Sequence, residues 1–342
     1  MKILITGASG FVGHQVVRAL GDEHQLYLLS RHPAKTRERL GTEHNYLASL
    51  DDLANLDEFD VVINLAGEPI ADKRWSDSQK EKICHSRWHL TMRLTQLIEQ
   101  SQTPPSILIN ASAIGVYGNQ EEQPVDETFM LTQTGETPLP FPQTVCQKWE
   151  TLALNASSQQ TRVCVIRIGL VLGLSGGALS KMLPAFKLGL GGPIASGKQG
   201  MSWIHQDDLV ALILFLMKSD TCSGVFNATA PHPVSNLSFS KTLADTLSRP
   251  AFIPMPAFVL NTLLGEMAQL LTQGQYVLPT RLIEAGYKFK FPQLNYALTD
   301  ILSKKIIRSQ RAISAGIALY LLRCAHHYAG DFSNSLQDLL NS

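Results

Sequence analysis

The stretch Thr6-Gly7-Ala8-Ser9-Gly10-Phe11-Val12-Gly13 limits the fold more than any other feature of the chain. It follows a short apolar run, Lys2 to Thr6, and leads into Phe11 to Leu20, where Val12, Val16 and Leu20 recur at helical spacing. A glycine pattern alone is weak, but a strand before it and a helix after it make it informative. Gly7 permits a tight turn, Gly10 lets backbone approach a ligand, and Gly13 lets the helix sit close on the strand. Backbone N–H groups of this loop, with Ser9, Phe11 and Val12 among its residues, then face an anion such as a diphosphate. The competing reading is a tight turn that holds nothing.

The rest of the first half alternates in the same way. Buried strands are expected at Gln25 to Ser30, Asp60 to Leu65, Ser106 to Ala111 and Val163 to Ile168. A long helix is expected from near Ser76, where Ser76-x-x-Gln79 forms a capping box and Ile83, Leu90, Leu94 and Leu97 face the sheet. Val145, Trp149, Leu152 and Ala156 mark another helix. Near-continuous apolar strands between amphipathic helices describe an α/β chain with a doubly wound parallel sheet.

After Gly169 the texture changes. Residues 173–202 are glycine-rich, with Met182, Leu183, Phe186 and Leu188 interleaved, and read as loop and short helix. A strand (Met201 to His205), a helix (Asp208 to Met217) and a strand (Val225 to Thr229) follow, then helical, proline-bearing sequence to residue 292. The expected division is a dinucleotide-binding core over 1–172 with 201–229 returning to its sheet. A smaller C-terminal substrate lobe over 173–292 and a helical tail over 293–342 complete it. A docking role for that tail rests only on Ile306, Ile307, Ile313, Ile317 and Leu321.

Composition narrows the function. Of 342 residues, 29 are Lys or Arg and 29 are Asp or Glu, so there is no formal charge to bind nucleic acid or an acidic membrane surface. The five cysteines are widely spaced and never form C-x-x-C, and no secretory leader precedes the first strand. Free thiols and a cytoplasmic location are therefore expected. No apolar run approaches the roughly 20 residues that span a bilayer. No metal is expected: His326-His327 are adjacent, and His85 and His89 lack the glutamate of H-E-x-x-H. G-x-S-x-G is absent as well.

The second strand ends Leu29-Ser30-Arg31, with a cation where sites that prefer NAD carry an acid. Arg31 can fork onto a 2′-phosphate while Ser30 adds a hydroxyl, so NADP(H) is the expected cofactor. A solvated arginine is the alternative. Asn64-Leu65-Ala66-Gly67 closes a strand, and its small residues let a nucleotide lie against Leu65, Ala66 and Gly67.

These pieces are joined by Leu65-Ala66-Gly67-Glu68-Pro69-Ile70 with Arg74-Trp75, by Ser86-Arg87, and by Asn110-Ala111-Ser112-Ala113-Ile114-Gly115. Trp149-Glu150, Arg167 to Gly173, Gly176-Gly177-Ala178, Leu188 to Ile194 and Trp203-Ile204-His205 follow. Over residues 1–292 the set resembles the extended, atypical short-chain dehydrogenase/reductases, and within them the NAD-dependent epimerase/dehydratase-related "epimerase family protein" group. The resemblance implies an NADP-binding Rossmann core with a smaller lobe over a substrate cleft. It implies that Ser30 and Arg31 hold the 2′-phosphate, that Leu65 and Ala66 line the dinucleotide, and that Glu81 and Arg87 contact the cofactor. Val171 would lie near the nicotinamide end. From the residues alone, Glu81 and Arg87 sit in a charged helical run that equally suits a solvated face.

The chain departs from the family where the chemistry should be. The family's Tyr-x-x-x-Lys pair lets lysine lower a tyrosine pKa for proton exchange, but here the two positions hold Pro142 and Cys146. Ser112 stands at the place of the active-site serine, unless it serves only local backbone. Tyr117 is the nearest phenol, and Cys146 reads as a buried, inert thiol. His205 reads as structural, with Asp207 or Asp208 capping the next helix. Lys198 and Gln199 are candidates for an anionic or sugar-like substrate, against a mobile solvated lysine. The expected function is an NADP-dependent oxidoreductase or epimerase acting on a small hydroxyl- or carbonyl-bearing substrate. Ser112 would polarise oxygen, and Tyr117 or water would supply the proton. The alternative is a non-catalytic NADP(H)-binding sensor or scaffold. A homodimer is compatible with either.

Overall fold

The structure is a computed structural model that describes residues 1–21, 23–131 and 138–304. The chain forms two compact units, Met1–Ala297 and a second beginning at Leu298. In the second unit residues 298–304 are helical. The rest of the expected tail, including Ile306 to Leu321, Cys324 and His326-His327, lies outside the described residues.

The first unit opens as β1 (Lys2–Thr6), α1 (Gly13–Leu20), β2 (Gln25–Leu29), α2 (Pro33–Leu40), β3 (Asn45–Leu47), β4 (Val61–Asn64), α3 (Asp77–Glu99) and β5 (Ile107–Ala113). A single 3-10 turn at Ile114–Tyr117 follows. Next come β6 (Pro124–Val125), α4 (Phe141–Leu154), β7 (Arg162–Ile168), β8 (Leu170–Leu172), α5 (Gly177–Lys187), β9 (Gly200–Met201), β10 (Trp203–His205), α6 (Gln206–Lys218) and β11 (Gly224–Ala228). The lobe adds β12 (Val234–Ser235), α7 (Asn236–Leu247), α8 (Ala257–Leu264), α9 (Gln269–Thr272), β13 (Tyr276–Val277) and α10 (Thr280–Glu284).

Seven strands form one parallel sheet in the order β11-β7-β5-β4-β1-β2-β3. Successive residues of a strand face opposite sides, so each strand feeds two cores. Ile3, Ile5, Ile63 and Ile109 pack with Val16 and Leu20 of α1 and with Leu212 and Ile213 of α6. Leu4, Val62, Leu108 and Val163 pack with Leu94, Leu97 and Ile98 of α3. The order turns back between β1 and β4, and a doubly wound sheet opens its ligand crevice at such a switch point. Register sets Thr6 beside Asn64, Asn64 beside Asn110, and Ser112 beside Arg167 on one sheet edge.

Ser76 caps α3 as its spacing predicts, its Oγ accepting from the Gln79 N–H at 3.3 Å. Two details differ from expectation. Of the segment 201–229 only β11 joins the large sheet, because β10 pairs instead with β8. The cap of α6 is His205 rather than Asp207 or Asp208: its Nδ1 accepts from the Asp207 N–H at 3.0 Å. Asp208 turns away, and its carboxylate accepts from the N–H groups of Lys290 (2.7 Å) and Phe291 (2.9 Å). Among the described residues no helix is long and apolar enough to cross a membrane.

Candidate functional site

The loop after β1 is shaped by backbone contact. Gly7 has φ +70°, and a Cβ there would lie 2.6 Å from the Leu65 carbonyl. A Cβ on Gly13 would lie 2.2 Å from the Gly7 oxygen, while the Gly10 N–H closes the turn onto that oxygen at 2.9 Å. The first turn of α1 carries no acidic residue and no side-chain cap, so its positive dipole end is left for an anion, while the His14 and Gln15 N–H groups donate to the Gly10 (3.0 Å) and Val12 (2.9 Å) carbonyls. Phe11 points the other way. Its ring is seated where side chains on Gly173, Gly176 and Gly177 would stand, at 2.8, 3.1 and 3.0 Å from their Cβ positions. Those glycines lie just before α5 and at its start.

A cleft of about 960 Å³ runs from this loop, and Gly7, Ser9, Gly10, Leu65, Ala66 and Gly67 line it. Ser30 and Arg31 line its other end, joined by two cations that the sequence reading did not single out, Lys35 and Arg39 of α2. The sequence carries a signal for them, since Lys35 and Arg39 stand four residues apart on α2 and so share a face. The Ser30 hydroxyl is 2.6 Å from that of Thr36 and accepts from the His32 N–H at 3.1 Å, which fixes the turn that presents Arg31. Glu81 lines the cleft from α3.

Arg87 does not line this cleft. Its guanidinium donates to the carbonyls of Glu68 (3.0 Å) and Ile83 (3.1 Å) and lies over the Trp149 ring. A Cβ on Gly67 would meet that guanidinium at 2.8 Å, so Arg87 supports the Leu65–Gly67 backbone from behind. Val171 is half-buried in β8, paired with Ile204 of β10, and also lies outside the lining of this cleft.

Ser112 and Tyr117 belong to one buried network, and its centre escaped the sequence reading. The Ser112 hydroxyl, 3% exposed, donates to Glu150 Oε1 at 2.6 Å. Arg167 grips the same carboxylate with two bonds, Nε to Oε1 at 2.9 Å and Nη2 to Oε2 at 2.8 Å. Its Nη1 donates to the Tyr117 hydroxyl at 2.8 Å, and that hydroxyl donates to Asn227 Oδ1 at 2.8 Å. Tyr117 is 1% exposed, so the expected proton donor is sealed inside the protein with its hydroxyl engaged in both directions. Burial pushes its pKa up, and the adjacent guanidinium opposes that only in part. Burial, then the Glu150 charge, pushes the Cys146 thiol up to about 11, which leaves it a neutral thiol at neutral pH.

A second polar cluster pins helices to the sheet edge. Thr6 Oγ1 donates to Asn64 Oδ1 at 2.6 Å, and Asn64 Nδ2 donates to Thr91 Oγ1 (2.9 Å) and Asn110 Oδ1 (2.6 Å). Trp149 Nε1 reaches the same Thr91 oxygen from α4 at 2.9 Å. The expected anion or sugar contacts in the lobe are otherwise engaged. Gln199 is buried, with Nε2 on the carbonyls of Ile194 and Leu271, and Lys198 is exposed with its ammonium 3.4 Å from Glu122.

Comparison with known proteins agrees with this architecture. Residues 3–228 match the NAD dependent epimerase/dehydratase family, and residues 255–301 match a domain of unknown function, DUF1731. The chloroplastic epimerase family protein SDR39U1 homolog of Arabidopsis thaliana is 39% identical over 310 residues, covering 88% of this chain and 87% of that protein. Epimerase family protein SDR39U1 of Mus musculus is 36% identical over 307 residues, 89% of this chain and 100% of that protein. The crystal structure of human epimerase family protein SDR39U1 (isoform 2) with NADPH superimposes with a TM-score of 0.78 at 33% identity, covering 88% of this chain and 99% of that one. The glycine loop at the sheet's switch point, the DUF1731 segment and these relatives agree: the chain is an SDR39U1-like, NAD(P)-binding member of the NAD dependent epimerase/dehydratase family.

Proposed function

We propose that this protein binds NADP(H) in preference to NAD(H). The observation that carries the reading is the acid-free end of β2, where Arg31, Lys35 and Arg39 line the same cleft as the glycine loop. The residues fit the group. The loop backbone is cleared of side chains by Gly7, Gly10 and Gly13, the α1 terminus offers a positive dipole end with no acid or side-chain cap on it, and the cations suit a 2′-phosphate. The NADPH of the human relative supports the same choice. When bound, the cofactor supplies hydride transfer to or from carbon. The chain's part is to hold the phosphates, to orient the dinucleotide along Leu65–Gly67, and to enclose it beside the lobe. Calorimetric titration tests the reading. NADPH should bind at least about tenfold more tightly than NADH, and Arg31→Ala should remove most of that margin while leaving NADH unchanged. Equal affinities for the two nucleotides would overturn it.

At the chemical step, one reading is turnover of a small hydroxyl- or carbonyl-bearing substrate. One observation favours the other reading, a binding protein without turnover. The Ser112 and Tyr117 hydroxyls are both committed to the Glu150–Arg167 pair, and Pro142 and Cys146 cannot relay a proton. Oxidation of NADPH by the pure protein across a panel of aldehydes and ketones decides. Turnover abolished by Ser112→Ala supports the enzyme, whereas no turnover with tight NADPH binding supports the binding protein.

A further inference from the structure

His85 and His89 stand four residues apart on α3. Their imidazoles stack almost parallel, with centroids 4.7 Å apart and planes 9° from parallel. Both rings belong to a stripe of α3, with Glu81 before them and Arg93 after them, that lines the dinucleotide cleft. The cations sharing that cleft are Arg31, Lys35 and Arg39 from the end of β2 and from α2, and Lys82 and Arg93 from α3 itself. Arg93 is already engaged, with Nη2 on the Leu53 carbonyl at 3.1 Å and Nε 3.7 Å from Asp51. The acids are Asp51, Glu68 and Glu81, and His32 is the third imidazole of the lining. On the neighbouring α4, Lys148 is held 4.3 Å over the Trp88 ring.

We infer that His85 and His89 are cofactor-facing residues that share one proton against the phosphates of the dinucleotide, so that binding takes up a proton. The inference rests on the reading that this cleft holds NADP(H). Histidine is the side chain whose charge changes between pH 5 and 8. In a parallel stack the first proton charges one ring, and a second is opposed by the like charge beside it, so the pair behaves as a single-proton site. An arriving phosphate favours the charged form and draws that proton in. Affinity therefore falls as pH rises and the pair loses its proton. A unit charge across a solvent-facing cleft corresponds to about fivefold in affinity.

The test is calorimetric titration of the full chain with NADPH at pH 6.5, in two buffers of different ionisation enthalpy, for the natural protein and for H85N/H89N. The 2′-phosphate titrates near pH 6 in its own right. It does so in both proteins, so the difference between them is the readout. The natural protein should take up several tenths of a proton more than the double variant. It should also lose about fivefold more affinity than the variant between pH 6 and pH 8. Both side chains are exposed and asparagine keeps them polar, so the thermal midpoint should not move. Equal proton uptake and equal pH dependence, with NADPH bound by both, would overturn the inference and leave the cofactor reading standing. Failure of both proteins to bind NADPH would overturn the two together.

Discussion

Replacing Glu150 with alanine is the sharpest test of what the buried network does. Its carboxylate is 6% exposed and its partner Arg167 is 5% exposed, and three short hydrogen bonds converge on the two carboxylate oxygens. Glu150→Ala leaves the guanidinium buried without a counter-charge and strands the Ser112 hydroxyl. Removal of one partner from such a pair costs about 3–5 kcal/mol. Glu150→Gln keeps one acceptor oxygen, but it loses the charge and turns its NH2 toward a donor, so it should still cost about 2 kcal/mol, less than alanine. The double replacement Glu150→Leu with Arg167→Met removes both charges and should be milder than Glu150→Ala alone, because the Tyr117 hydroxyl keeps Asn227 as its acceptor. Urea unfolding followed by the fluorescence of the four tryptophans reads all three. A loss below about 1 kcal/mol for Glu150→Ala would refute the reasoning, as would a double variant that loses as much as Glu150→Ala or more.

Other consequences are equally direct. Gly13→Ala places a methyl group 2.2 Å from the Gly7 carbonyl, so the phosphate loop must shift and NADPH affinity should drop by more than about tenfold in a fluorescence titration. Phe11→Ala empties the glycine seat before α5 and should cost about 2 kcal/mol for this half-buried ring, read by thermal unfolding. Cys146 should resist thiol reagents until the protein unfolds. Its folded pKa is raised to about 11 from an ordinary 9.0, so its contribution to stability is fully present below pH 9 and is lost as pH rises toward 11. The loss amounts to about 3 kcal/mol. Cys146→Ala should flatten that alkaline decline in urea unfolding, and an unchanged pH profile would contradict the assignment.

Local signals were readable in the chain because their physics is local. The glycine loop, the Ser76 cap and the acid-free end of β2 each depend on residues within a few positions of one another. The Ser112–Glu150–Arg167–Tyr117 network depends on partners 38, 17 and 50 positions apart, brought together only when β5, α4 and β7 assemble. No spacing rule points to it, so Tyr117 looked like an available phenol when it is a buried strut. His205 is structural, as its sequence context implies, but the cap of α6 differs from expectation for a related reason. Aspartate is the commoner cap, but here the imidazole already sits at the cap position and Asp208 is claimed by backbone from residues 290 and 291. Apolar residues alone do not name a strand's partner, so β10 reads from the sequence as part of the large sheet although it pairs with β8.

Phe11 ties the two ends of the binding apparatus into one mechanical part. Its neighbours at 173, 176 and 177 are bare main chain, with no flexible side chain to cushion a movement. Ring and main chain stand in direct contact there, so a bulkier side chain at Gly176 should disturb the diphosphate turn without touching it, and weaken NADPH binding from a position outside the cleft lining.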